Sequence, residues 1–187
     1  GGGGGAAMAG ALAAALASMV ANLTIGKEKF AEREPEVKEL LKQAEAERVR
    51  LLQLADDDAA VFNSFMSCYK LPKTTDEEKA ARTAAIRAAA KQAATVPLNI
   101  ARSSFAVLKL ADRLVVSGNP GVITDGACSG LLARAALRCA EYNVRINLGL
   151  TKDEVWNAQA AADLKQLLAD AEALETRLLA VTDKALQ

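Results

Sequence analysis

Apolar residues recur every three or four positions along most of the chain, which is the period of an amphipathic helix. The clearest stretch predicts a long helix from about Glu36 to Tyr69. Its predicted buried stripe consists of apolar side chains at this spacing: Val37, Leu40, Leu41, Ala44, Leu51, Leu52, Ala55, Phe62, Phe65, Met66 and Tyr69. Strand-like runs are nearly missing, because Leu114-Val115-Val116 is too short to form a sheet. We therefore predict one all-α domain over residues 1–187, with helices arrayed around a buried Ala-rich helix.

Breakers and capping residues divide the rest of the chain. The Ala-rich helix is predicted from about Ala6 to Thr24, before the breaker Gly26. A charged connection, 27–34, leads to the long helix. A capping box at 75–78 opens a third helix. This helix continues to about Ser117, and Pro97 is expected to kink or split it.

Two more helices complete the prediction. A fourth helix, capped by Thr124 or Asp125, follows a Gly-Asn-Pro-Gly turn and ends near Ile146. A second capping box at 151–154 opens a fifth helix that runs toward Leu186.

The first 26 residues carry no charge, so a membrane segment has to be weighed. The apolar part, Met8 to Leu23, is mostly alanine and includes Ser18 and Asn22. It is shorter than the roughly 20 strongly apolar residues that span a bilayer, and no basic segment precedes it. We expect neither a membrane span nor a signal peptide, but a helix buried on all sides in a soluble protein.

Composition narrows the chemistry. The 23 lysines and arginines balance the 23 aspartates and glutamates, which disfavours nucleic acid as a partner. Histidine is absent, which excludes Ser-His-Asp and Cys-His nucleophiles and most zinc or iron sites. We therefore expect no metal, and proton transfer by Asp, Glu, Lys, Tyr or Cys.

The three cysteines are Cys68, Cys128 and Cys139, and no two of them have C-x-x-C spacing. We expect reduced thiols that act as small core residues in a cytoplasmic protein.

Three consecutive aspartates, Asp56, Asp57 and Asp58, lie in the long helix. Most such runs are solvated patches. With about 100° per residue and Phe62 as the centre of the stripe, Asp58 falls about 40° from the centre. Asp56 and Asp57 fall about 120° and 140° away on either side. Asp58 alone is therefore predicted to face the core or a cleft.

An inward carboxylate needs a partner or a polar cavity, because burying it alone is costly. Arg48 lies ten residues away, about 15 Å along the helix, and cannot pair with Asp58 directly. A functional carboxylate and a structural ion pair both remain open. The opening run 1–5 has two interpretations as well: a flexible lead, or a glycine-rich nest that holds an anion.

Several segments together resemble one family over nearly the whole chain. Gly1-Gly2-Gly3 and the Ala-rich segment 10–20 look like that family's PGGGS loop and first helix, although Gly4 replaces its serine. Residues 54–62 resemble its L-x-D-x-D-A-x-A-F segment. Shorter matches follow in order: Leu71-Pro72-Lys73, Glu77-Glu78-Lys79, Val96-Pro97-Leu98, Gly118-Asn119, Thr124-Asp125 and 143–148. The family is that of formimidoyltetrahydrofolate cyclodeaminase and methenyltetrahydrofolate cyclohydrolase.

The resemblance implies an all-helical homodimer that acts on a tetrahydrofolate one-carbon unit, with no cofactor beyond this substrate. The family's catalytic aspartate falls on Asp58, and its glycine loop, which lines the folate site, falls on Gly1, Gly2 and Gly3. Lys73 is a candidate to polarise the developing oxygen or to hold the pteridine. Candidate substrate contacts are Asp125 and Asn147 for the pterin ring, and Lys27 and Arg145 for the glutamate carboxylates.

Cyclohydrolase activity, the conversion of 5,10-methenyltetrahydrofolate to 10-formyltetrahydrofolate, is our first expectation. The chain lacks the formimidoyltransferase domain that accompanies the cyclodeaminase in fused proteins. Cyclodeaminase activity, the release of ammonia from 5-formimidoyltetrahydrofolate, is the first alternative. A helical interaction protein without an active site is the second.

Overall fold

The computed structural model describes all 187 residues, and its regular structure is entirely helical. The five α-helices are α1 (Gly2–Asn22), α2 (Glu34–Cys68), α3 (Asp76–Ser117), α4 (Ile123–Leu148) and α5 (Glu154–Ala185). Short 3₁₀ turns, Glu28–Arg33 and Pro120–Val122, precede α2 and α4. The all-α prediction and the number of long helices are confirmed.

Helices α1 to α4 form a four-helix bundle, and α5 packs outside it against α3 and α4. Helix α1 contacts α2, α3 and α4, because its alanines and glycines let the neighbouring helices approach closely. Two apolar clusters fill the bundle. One joins Val20 and Ala21 of α1 to Val37 and Leu40 of α2. The larger one joins the first half of α1 to α3, α4 and α5.

Helix α1 begins earlier than predicted, because the glycines of residues 2–5 form its first turn rather than a loop. It is also not buried on all sides. Met8 and Leu12 are 54% and 55% exposed. By length and composition α1 meets the requirements for a membrane span. In its apolar stretch of 18 residues, 56% is buried inside the fold. A core helix of a soluble protein meets the same requirements.

Helix α3 passes through Pro97 without a break, so the predicted split does not occur. Its capping box is confirmed, since Thr75 Oγ1 accepts from Glu78 N and Glu78 Oε2 accepts from Thr75 N. The second capping box is wrong. Asp153, not Thr151, is the N-cap of α5, and Thr151 instead accepts from the Asp153 N–H. Helix α4 begins at Ile123, so Asp125 lies in its first turn rather than at its cap.

The second half of α2 and the first half of α3 form a hairpin that projects beyond the bundle. No residue between 55 and 89 is buried. Of the predicted stripe of α2, Leu51 is therefore the last fully buried residue, and Phe62 is 59% exposed. The reason is length, since α1 begins beside Asp58 and offers nothing to cover the residues beyond it. The three cysteines are free, as predicted, but their prediction as core residues is wrong, because Cys128 and Cys139 are exposed and Cys68 is only half-buried.

Candidate active site

A cavity of about 460 Å³ lies where the projecting hairpin meets the bundle. The start of α1, the second half of α2, the centre of α3 and the end of α4 form its walls. Its polar lining comprises Gly1, Gly2, Asp58, Asn63, Asn143 and Asn147. The remaining lining is Ala59, Val61, Phe62, Phe65, Ala93, Val96, Ile146 and Leu150. Such a mostly apolar space with a few polar groups is typical of small-molecule sites.

Asp58 lies at the wall of this cavity, in the orientation predicted from the helical phase. Asp56 is exposed, while Asp57 and Asp58 are both half-buried; Asp57 accepts a hydrogen bond from Gln53 and does not line the cavity. Asp58 Oδ2 accepts the backbone N–H of Gly4 at 2.8 Å. No lysine or arginine lies within 4.0 Å of its oxygens to form a salt bridge. The carboxylate is therefore held in place by a backbone group and remains next to open space.

The first turn of α1 explains why Asp58 can sit where it does. The N–H of Gly4 belongs to the first turn of α1, whose N–H groups have no intrahelical acceptor. The positive end of the helix dipole also favours a carboxylate there. Gly3 lies beneath the carboxylate, and a Cβ at this position would overlap Asp58 Oδ1. The glycine is thus required for close approach, while Gly5 faces open space.

Two asparagines from the last turns of α4 face the same cavity, one helical turn apart. Asn143 lies beside Gly2, whose added Cβ would be 3.1 Å from Asn143 Nδ2. Asn147 Nδ2 donates to the Ala93 and Asn143 carbonyl oxygens, at 2.8 Å each. Asn147 is one of the predicted substrate contacts, whereas Asn143 is a cavity residue that was not predicted. Their spacing of four on an otherwise apolar helix is the signal that could have found both.

Other residues named from the resemblance lie elsewhere. Lys73 lies at the exposed tip of the hairpin, beyond the end of α2, and about 15 Å of helix separates Asp58 from that end at Cys68. Lys27 and Asp125 lie at the opposite end of the bundle, about 33 Å of α4 separating Asp125 from Asn147. Arg145 is near the cavity but does not line it, and pairs with Glu141. Within one chain, the cavity includes none of these four.

The chain is similar to known proteins in three comparisons, which show its family and its fold. Residues 1–166 match the family described as formiminotransferase-cyclodeaminase, so the chain belongs to that family. A methenyltetrahydrofolate cyclohydrolase from Methylorubrum extorquens is 44% identical over 95% of this chain and 86% of its own length. The porcine formimidoyltransferase-cyclodeaminase is 32% identical over 89% of this chain, which matches 31% of that longer protein.

The fold also has a solved counterpart. The crystal structure of formiminotetrahydrofolate cyclodeaminase from Thermotoga maritima superimposes with a TM-score of 0.89. It is 28% identical in sequence, and the match covers all of this chain and 89% of that one.

Proposed function

We propose that this protein is a methenyltetrahydrofolate cyclohydrolase and that the cavity beside Asp58 binds the substrate. The observation that carries the proposal is the placement of Asp58. One of its oxygens is held by a helix N-terminus, and the carboxylate borders an apolar cavity of about 460 Å³. The apolar wall suits the flat pteridine, and the carboxylate suits the cationic one-carbon bridge between N5 and N10.

The reaction adds water to the amidinium carbon of 5,10-methenyltetrahydrofolate. Asp58 accepts a proton from the attacking water as the new C–O bond forms. It then gives that proton to N5 as the C–N5 bond breaks. The second proton of the water is released when the formyl C=O forms, and the product is 10-formyltetrahydrofolate. The negative charge also stabilises the cationic substrate and the transition state that follows.

Two related reactions compete for this site. The cyclodeaminase reaction closes the ring on 5-formimidoyltetrahydrofolate and expels ammonia, which an acid in the place of Asp58 can protonate. The cyclohydrolase is favoured because the Methylorubrum relative is 44% identical along nearly the whole chain, against 32% for the porcine cyclodeaminase. The likeness to the Thermotoga cyclodeaminase keeps the second reaction as the alternative.

Assays of the purified protein with both substrates test the proposal. We expect loss of the methenyl absorbance with formation of 10-formyltetrahydrofolate, faster than the uncatalysed hydrolysis. Ammonia release from 5-formimidoyltetrahydrofolate should be slow or absent. A protein that releases ammonia and does not hydrolyse the methenyl compound is a cyclodeaminase. Activity on neither substrate, with no thermal stabilisation by tetrahydrofolates, favours the helical interaction protein.

We also propose that two copies of the chain form a homodimer, as the resemblance implies. Helix α1 exposes Met8 and Leu12, and the adjacent α4 exposes a stripe of its own: Cys128, Leu131, Ala135, Cys139, Tyr142 and Ile146. The two stripes together make an apolar face of the kind that marks an interface. Light scattering should give the mass of two chains for the wild type and the mass of one chain for Leu12→Glu.

Three predicted site residues can reach the cavity only if a second copy of the chain contributes them: Lys73, Lys27 and Asp125. The exposed hairpin that carries Lys73 and the opposite end that carries Lys27 both lie at the surface, where a partner chain can reach them. Substituting each with alanine and measuring KM tests this, since residues outside the assembled site leave KM unchanged. A cytoplasmic location and the absence of a metal remain predictions from composition.

A further inference from the structure

Pro97 lies in the middle of α3, where a proline normally weakens a helix. It has no N–H, so the carbonyl of Ala93, four residues earlier, loses its helical hydrogen-bond donor. The helix nevertheless continues from Asp76 to Ser117. The side chain of Asn147 on α4 supplies the missing donor, because its Nδ2 lies 2.8 Å from the Ala93 oxygen.

This bond fixes the orientation of the Asn147 amide. The same Nδ2 also lies 2.8 Å from the Asn143 carbonyl, and a carbonyl can pair only with a donor. The nitrogen is therefore held by two protein acceptors, and the carboxamide cannot rotate without losing both. Asn147 Oδ1 accepts no hydrogen bond from the protein, and the residue lines the cavity. Asn147 Oδ1 is therefore left as a hydrogen-bond acceptor with a fixed direction.

We propose that Pro97 is a positioning residue for substrate recognition. By freeing the Ala93 carbonyl, it holds Asn147 with Oδ1 available to accept an N–H of the bound pteridine. This inference rests on the proposed function for the identity of the ligand. A pteridine carries ring N–H and exocyclic amino donors, so an acceptor with a fixed direction selects its orientation relative to Asp58. A freely rotating amide would offer a donor as readily as an acceptor.

A double-mutant cycle tests the inference. Pro97→Ala restores an N–H that competes with Asn147 for the Ala93 oxygen. We expect KM for 5,10-methenyltetrahydrofolate to rise roughly three- to tenfold, the effect of one neutral hydrogen bond, while kcat changes little. The melting temperature should stay equal or rise, because the helix gains a bond. Asn147→Ala should raise KM similarly, and Pro97→Ala should then add nothing in that background.

Pro120→Ala is the matched control, since this exposed proline begins the short 3₁₀ turn at the far end of the bundle. Its KM should equal that of the wild type. Proton exchange of the Asn147 side-chain amide, measured by NMR without substrate, should be faster in Pro97→Ala. The inference is overturned if KM in Pro97→Ala is unchanged, or if it rises equally with and without Asn147. Failure of the proposed function looks different, because the wild type then converts no methenyl substrate, and the exchange measurement still decides whether Pro97 holds Asn147.

Discussion

The two ends of the bundle carry the same kinds of polar residue, but they differ in whether the protein itself satisfies the hydrogen-bonding atoms of these side chains. At the turn end, α1 finishes against the connection between α3 and α4. Asn119 Nδ2 donates to the Leu23 carbonyl at 3.1 Å, its Oδ1 accepts from Gly121, and its backbone N–H donates to Thr24 Oγ1. Both polar atoms of its side chain are used by the protein itself.

At the cavity end, α1 begins against Asp58 of α2, with the end of α4 beside it. Asn147 uses its nitrogen for the protein and leaves its oxygen free. Asp58 takes one backbone N–H and borders open space. The difference shows that an asparagine near a helix end is structural when both sides of its amide have protein partners. It becomes a candidate ligand contact when one side does not.

The largest expected effect is at the cavity end, for Asp58→Asn. The amide oxygen can still accept the Gly4 N–H, so the fold should persist. The variant cannot accept and return a proton, and kcat should fall by roughly 10²–10⁴-fold. Turnover and the melting temperature, measured on the same sample, check both statements. Turnover within a few-fold of the wild type would remove Asp58 from the mechanism.

Gly3→Ala should have the next largest effect. Its Cβ would overlap Asp58 Oδ1, so the carboxylate or the start of α1 has to move. Overpacking of this kind costs about 1–3 kcal/mol of stability, and we expect kcat/KM to fall at least about tenfold. Gly5→Ala is the control two residues away, since its Cβ meets nothing within 4 Å. It should keep full activity and gain about 0.5–1 kcal/mol. Equal kinetics for the two variants would contradict the close-packing argument.

At the turn end, Asn119→Ala should lower the stability of the fold and leave substrate binding unchanged. The Leu23 carbonyl and the Gly121 N–H lose their side-chain partners, and we expect a loss of about 1–3 kcal/mol in the free energy of unfolding. KM should not change, because the residue is far from the cavity. Chemical denaturation and steady-state kinetics give the two numbers. A raised KM would mean that the turn end also takes part in binding.

The smallest effect is expected for Asp153, the N-cap of α5, which does not line the cavity. The hydrogen bond from Lys91 and the backbone N–H of Trp156 hold the pKa of Asp153 below its usual value. A lowered pKa in the folded state adds stability above the ordinary aspartate pKa and loses it as pH falls through the folded value. Asp153→Asn keeps a capping side chain but does not titrate. The stability difference between wild type and variant should therefore be constant near neutral pH and shrink in acid. A difference independent of pH would show that the pair adds nothing.

Much of the fold follows from local rules that the sequence displays. Helical spacing and the capping box at Thr75 predict where α2 and α3 lie, and the helical phase of α2 directs Asp58 inward. The phase cannot tell where the bundle ends, so it also predicted burial for Phe62, which projects beyond α1. The sequence predicts a loop for the glycines of 2–5, and it does not reveal that the Gly4 N–H has an acceptor in Asp58, more than 50 residues away. The partner of the Ala93 carbonyl was equally hidden, since it comes from another helix.

The role of Asp58 is best tested by a crystal structure of the complex with 5-formyltetrahydrofolate, a stable analogue of the one-carbon forms. We expect the pteridine in the cavity at the base of the hairpin, with its one-carbon group within about 4 Å of the Asp58 carboxylate. Asn147 Oδ1 should accept one of its N–H groups. A ligand bound at the turn end beside Lys27, or one that leaves Asp58 in contact with Gly4 alone, would contradict the role proposed for Asp58.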